Sequence, residues 1–165
     1  MTMYRLFVMR SAVLAALLIL LAQGESAQAQ NKKNPYACVE PDPTAYCTGH
    51  PMCGSASTPC SVDVKRTADA ASATPSIPGA KGDKPFCVKV GTKMVWKSET
   101  KHQGFVVDMG PNTPFAVDDI IGGSDRSVTT VAKKPGCYRY SAGACLSGAI
   151  YGMCGNSYAE LIVVK

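Results

Sequence analysis

The residues of this 165-residue chain that could do chemistry are eight cysteines, two histidines and seven methionines. The cysteines stand at Cys38, Cys47, Cys53, Cys60, Cys87, Cys137, Cys145 and Cys154. The first four fall within 23 residues. Inside that group, Cys47-Thr48-Gly49-His50-Pro51-Met52-Cys53 sets two thiols, an imidazole and a thioether within seven residues. Reduced, such a set suits Cu(I) or another soft ion, although it lacks the Cys-x-x-Cys spacing of a zinc ribbon. Oxidised, the same cysteines form bridges, and an even count in an exported chain favours that outcome. Eight cysteines permit 105 complete pairings. Spacing suits Cys87 and Cys137 to join neighbouring strands, which leaves the four early cysteines to pair among themselves.

Acid–base or nucleophilic catalysis has little to work with. No nucleophile–base pair and no convincingly spaced carboxylate pair is visible. Asp118-Asp119 reads as a solvated turn, and two histidines far apart in sequence leave few general acids or bases. The expectation is that the protein is not an enzyme.

The elements that must position these residues differ along the chain. Residues 1–29 have the order of a secretory signal: Arg5 and Arg10, an apolar run from Ala12 to Ala22, then a small-x-small site at Ala27-Gln28-Ala29. The run has 11 residues, against roughly 20 for a membrane span. Cleavage leaves no later segment able to cross a bilayer, and the expected location is periplasmic or secreted. Net charge is +5 for the whole chain, with scattered lysines and no basic stripe interleaved with aromatics, so nucleic acid is not an expected partner.

Residues 30–66 hold four cysteines and five prolines with little apolar periodicity. They read as an irregular, disulfide-rich arm packed on the main domain. Residues 67–84 are rich in Ala, Ser, Thr, Pro and Gly and read as a flexible linker. From residue 85 the pattern changes. Phe86–Val90, Lys93–Lys97, Gly104–Asp108, Arg126–Val131, Cys137–Tyr140 and Ala159–Val164 all read as strands, with Trp96 in the core. Met109–Ser124 reads as a loop. Short strands with regular turns and no helix predict an all-β, Greek-key β-sandwich.

Over residues 85–165 the order of pieces resembles the cupredoxin family. The resemblance is carried by Phe86-x-Val88-x-Val90-Gly91-x-x-x-Val95-Trp96, His102 ahead of Phe105-Val106-Val107, Pro135-Gly136-x-Tyr138-x-Tyr140, and Met153 ahead of Leu161-Ile162-Val163-Val164. It implies two packed sheets with copper held at one end by loop residues. A blue-copper centre needs two imidazoles, a thiolate and a weak axial sulfur. The resemblance puts His102 at the first histidine and Ala142 at the thiolate position. Cys145 falls where many members place the second histidine, and no histidine follows His102.

The expectation is therefore a cupredoxin-like module with an emptied thiolate seat and no copper cofactor, which binds a protein or small-ligand partner. The alternative is a copper-binding or electron-transfer protein that uses His102, Cys145, Met153 and Cys154, all with reduced thiols. If Cys145 and Cys154 instead form a disulfide, they close the vacated loop. Leu146, Ile150, Tyr151, Met153 and Tyr158 on that loop offer either a docking surface or a cover for the end of the sandwich.

Overall fold

The computed structural model describes residues 34–67, 70–98, 100–123, 126–146 and 155–165. The expected signal segment 1–29, Met153 and Cys154 lie outside these residues.

Alternation builds the strands. Lys93–Lys97 (β4) buries Met94 and Trp96 and turns the lysines outward. Gln103–Asp108 (β5) buries every second residue, Gln103, Phe105 and Val107, as a period of two requires of a sheet with one covered face. With Cys60–Thr67 (β1), Ala70–Pro75 (β2) and Val128–Val131 (β7), β4 forms a four-stranded sheet in the order β2-β1-β4-β7. Phe86–Lys89 (β3), Asp119–Gly123 (β6), Gly136–Leu146 (β8) and Gly155–Val164 (β9) join β5 in a second sheet, ordered β3-β9-β8-β5-β6. Both sheets are mixed, since β1 runs parallel to β4 and β3 parallel to β9.

The two sheets share one apolar core. Val62, Val64, Met94 and Trp96 from the first sheet meet Phe105, Val107, Ile120, Tyr140, Ala142 and Leu161 from the second. Trp96 is fully buried and lies edge-on to Phe115 and Tyr140, with centroids 6.1 and 5.9 Å away. Each such pair adds about 0.5–1.5 kcal/mol beyond the area it buries. The indole N–H donates to Thr130 Oγ1 at 3.0 Å, so the indole donor is not stranded in the core. The all-β expectation with two packed sheets agrees with this architecture.

Four local expectations need correction. The stretch read as a flexible linker contains β2, which pairs antiparallel with β1 from Val62↔Pro75 to Thr67↔Ala70. Its side chains are small because other backbones and side chains reach it closely: the Tyr140 hydroxyl donates to the Ala73 carbonyl at 3.5 Å, and the Ser157 hydroxyl donates to that of Ala71. Ala71 and Ala73 are accordingly buried. The arm also ends earlier than residue 66, since β1 begins at Cys60. The stretch read as a loop before Ser124 contains β6, which pairs with β5 from Asp108↔Asp119 to Gly104↔Gly123. Finally, β8 does not give way to a loop after Tyr140 but stays paired with β5 through Leu146.

The arm is less irregular than expected. Pro43–Gly49 forms a short helix, α1. Asp42 caps it by accepting from Ala45 N at 2.9 Å, and a proline opens its first turn, where no N–H partner is needed. The arm lies on the outer face of the five-stranded sheet, where Cys47 of α1 packs with Cys87 and Ile162, flanked by Tyr46, Met52, Cys137 and Val164.

Candidate functional site

The register of the second sheet decides which bridges can form. Cys87 of β3 and Cys137 of β8 both sit directly opposite Ile162 of β9, one on each side. A whole strand separates them, about 9–10 Å at the usual strand spacing, too far for the roughly 4.4–6.8 Å between Cα atoms that a disulfide spans. The expected Cys87–Cys137 bridge is thus corrected. Each cysteine bonds to the arm instead, Cys38 to Cys137 and Cys47 to Cys87. Cys53 bonds to Cys60, the only early pairing that stays local among the described bridges. The heptad Cys47–Cys53 is therefore divided between two bridges and holds no thiolate pair for a soft ion.

Of the four residues expected to hold copper, His102 and Cys145 stand toward the same end of the second sheet, since Cys145 pairs with Gly104, two residues beyond His102, while Met153 and Cys154 lie outside the described residues. His102 is exposed and takes a left-handed backbone, φ 57°, in the turn that precedes β5. Its neighbour Gln103 takes the inward position and is buried. Gln103 Nε2 donates to the Val64 carbonyl and to Ser98 Oγ, each at 3.1 Å, and its side-chain oxygen accepts from Arg66 N at 3.4 Å. That network closes this end of the sandwich with an amide.

Ala142 is not at a loop mouth. It lies within β8, opposite Val107 and Ser157, and is buried in the core. His102 is five residues from the Val107 level, roughly 17 Å along the strand. The reading of position 142 as an emptied seat beside His102 is overturned by this register. Cys145 pairs across from Gly104 and is itself disulfide-bonded, so it offers no thiolate in this form.

The second histidine is elsewhere. His50 follows α1 and stacks on Tyr46, with centroids 3.9 Å apart. It lines a cleft of about 310 Å³ with Pro75, Ile77 and Phe86. His50 therefore lies by the Pro75 end of β2, whereas Gln103, next to His102, contacts Arg66, which pairs with Ala71 at the other end. Roughly 13 Å of strand separates those two contacts.

Among the described residues, a cluster of polar side chains lies on the face covered by the arm. Glu160, on β9, is 6% exposed. Its carboxylate accepts from the backbone N–H groups of Val39 and of Glu40, the latter at 3.1 Å. Ligand atoms of Glu160, Cys38 and Cys137 lie within 4.8 Å of one another. Arg139, cross-strand from Glu160, places its guanidinium 4.9 Å from the ring centre of Tyr158. Tyr36 meets Tyr158 edge-on at 6.2 Å, and its hydroxyl donates to the Asp108 carboxylate. Gly110 is required beneath that ring: it has φ +66°, and a Cβ there would lie 2.5 Å from Tyr36 Cγ.

This hydrogen bond to Asp108, with help from burial and the carboxylate's charge, pushes the Tyr36 phenol up to about 12. Burial, and then the charge of Glu40, raise Tyr46. Burial alone raises Tyr138 and Tyr140. A cleft of about 370 Å³ runs alongside, lined by Glu40, Asp83, Lys84, Arg139, Tyr158 and Glu160.

Sequence reasoning missed this face. A single acid inside the apolar run Ala159–Val164 was its one visible sign. Of the residues expected to form a docking loop, Tyr158 is 42% exposed on β9, while Ile150, Tyr151 and Met153 lie outside the described residues.

No protein-family model matches the chain, and no curated protein matches it. Among solved structures, it is similar to a chain in the cryo-EM structure of a heme-copper terminal oxidase dimer. The two are 14% identical, with 98% of this chain and 96% of that chain covered, at a TM-score of 0.32. That score is too low to relate the two folds.

Proposed function

We propose that the protein is an exported, cupredoxin-like β-sandwich without a type 1 copper centre, which acts as a binding module and not as an enzyme. One observation carries the copper part of this reading: the two histidines stand at opposite ends of β2, and His102 lies far along β5 from position 142. A type 1 centre needs two imidazoles and a thiolate around one ion. The described residues do not fit that set.

Three bridges with both cysteines described favour a periplasmic or secreted location. Among the described residues no helix is long and apolar enough to cross a membrane. The surface best suited to a protein or small-ligand partner is the cleft beside Arg139, where charges of both signs and the Tyr158 ring line one groove.

The test is an optical titration of the purified, oxidised protein with Cu(II), repeated anaerobically with Cu(I). The expected result is no intense thiolate-to-copper band and no saturable one-to-one binding. One copper per chain with an intense visible band would overturn the reading.

A further inference from the structure

We propose that the Cys38–Cys137 bridge is a thiol–disulfide exchange site for a dithiol partner, and that opening it releases the strap Tyr36–Glu40 from the five-stranded sheet. The proposal does not rest on the copper reading above.

Accessibility separates this bridge from the two others whose cysteines are both described. Cys53, Cys60 and Cys87 are at most 1% exposed and Cys47 is 8% exposed, whereas Cys38 and Cys137 are both only half-buried. Exchange needs a thiolate to reach one sulfur in line with the S–S bond. A cleft of about 500 Å³, lined by Pro43, Thr44, Pro135, Gly136, Ile162 and Lys165, opens onto Cys137.

The chemistry balances with a dithiol alone. One thiolate of the partner attacks Cys137 Sγ, a partner–Cys137 disulfide forms, and Cys38 leaves as a thiolate that takes a proton from water. The partner's second thiolate then attacks its own sulfur in the mixed disulfide. The partner's disulfide forms, and Cys137 leaves and is protonated. The bridge gains two electrons and two protons, and the dithiol loses the same. The Glu160 carboxylate stands within 4.8 Å of both sulfurs, and its negative charge favours the neutral thiols over thiolates once the bridge is open.

The consequence follows from what else holds the strap. Without the bridge, its polar ties to the sheet are the Tyr36–Asp108 hydrogen bond and the two N–H groups of Val39 and Glu40 on Glu160. The Cys47–Cys87 bridge keeps α1 in place. Opening therefore frees a short segment and bares two carboxylates, Asp108 and Glu160, without dismantling the sandwich.

The experiment treats the full oxidised protein with limiting dithiothreitol, traps thiols with N-ethylmaleimide at intervals, and maps the labelled peptides by mass. Cys38 and Cys137 should be labelled at least tenfold faster than Cys47, Cys53, Cys60 and Cys87. Equal rates, or earlier labelling of either buried bridge, would overturn the exchange site. Hydrogen exchange on the selectively opened protein tests the release. The amides of Val39 and Glu40 should lose protection at least tenfold while Leu161 keeps its own; unchanged protection at Val39 and Glu40 would overturn the release.

Discussion

Replacing both Cys38 and Cys137 by serine removes the longest bridge, and the structure sets what that should cost. The bridge spans 99 residues, of which the Cys47–Cys87 bridge already short-circuits 40. About 60 residues of unconstrained chain then remain in the closed loop, and the chain-entropy relation gives about 4 kcal/mol for a loop of that size. This is a large share of the roughly 5–15 kcal/mol that stabilises a typical domain. The native fold should nevertheless persist, because the remaining bridge holds α1 on the sheet and the core between the sheets is untouched. Urea unfolding followed through the fluorescence of Trp96, the only tryptophan and fully buried, reads the change directly. The midpoint should fall by an amount equivalent to about 4 kcal/mol, with the slope rising as the unfolded chain loses a constraint. A loss below about 1 kcal/mol would refute the reasoning, because a bridge of this span must restrict the unfolded ensemble if it forms at all.

Thr130→Val keeps the shape of β7 but strands the Trp96 N–H in the core. Urea unfolding should show a loss of about 1–3 kcal/mol, the cost of a buried donor left unpaired. Alkaline pH should destabilise the fold through its tyrosines. The Tyr36 phenol rises from 10.0 to about 12 through its bond to Asp108, and Tyr140 rises through burial. For an acid held protonated in the native state, the stabilisation is fully present below pH 10 and is lost as pH climbs toward 12. Unfolding measured between pH 8 and 12 should show this decline, and Tyr36→Phe should make it shallower; an unchanged slope would contradict the Tyr36–Asp108 pairing.

The parts of the fold legible in the sequence are those in which burial alternates among large residues. Met94 and Trp96 announce β4, and Phe105 and Val107 announce β5. β2 was hidden because Ala71 and Ala73 are small for a packing reason: Tyr140 and Ser157 reach its carbonyls. The same logic hid the far half of β8, where Ala142 and Ala144 face Val107 and Phe105 across the sheet and looked, as a run of small residues, like a loop. The bridge pattern was not legible at all. Spacing cannot show that β9 lies between Cys87 and Cys137, since that depends on the chain's last strand pairing with both. Glu160 was visible as an anomaly in an apolar strand, but its donors come from Val39 and Glu40, about 120 residues earlier. His102 sits in the turn ahead of β5 and is exposed, whereas Gln103, the first residue of β5, is buried, and its hydrogen-bonded amide closes the end of the sandwich.

The central proposal is that this is an oxidised sandwich without a type 1 copper centre. Native mass spectrometry of the purified protein, without added reductant, tests it in one spectrum. The account predicts a chain carrying its cysteines as disulfides, with no copper adduct. A mass showing free thiols together with one bound copper per chain would contradict it.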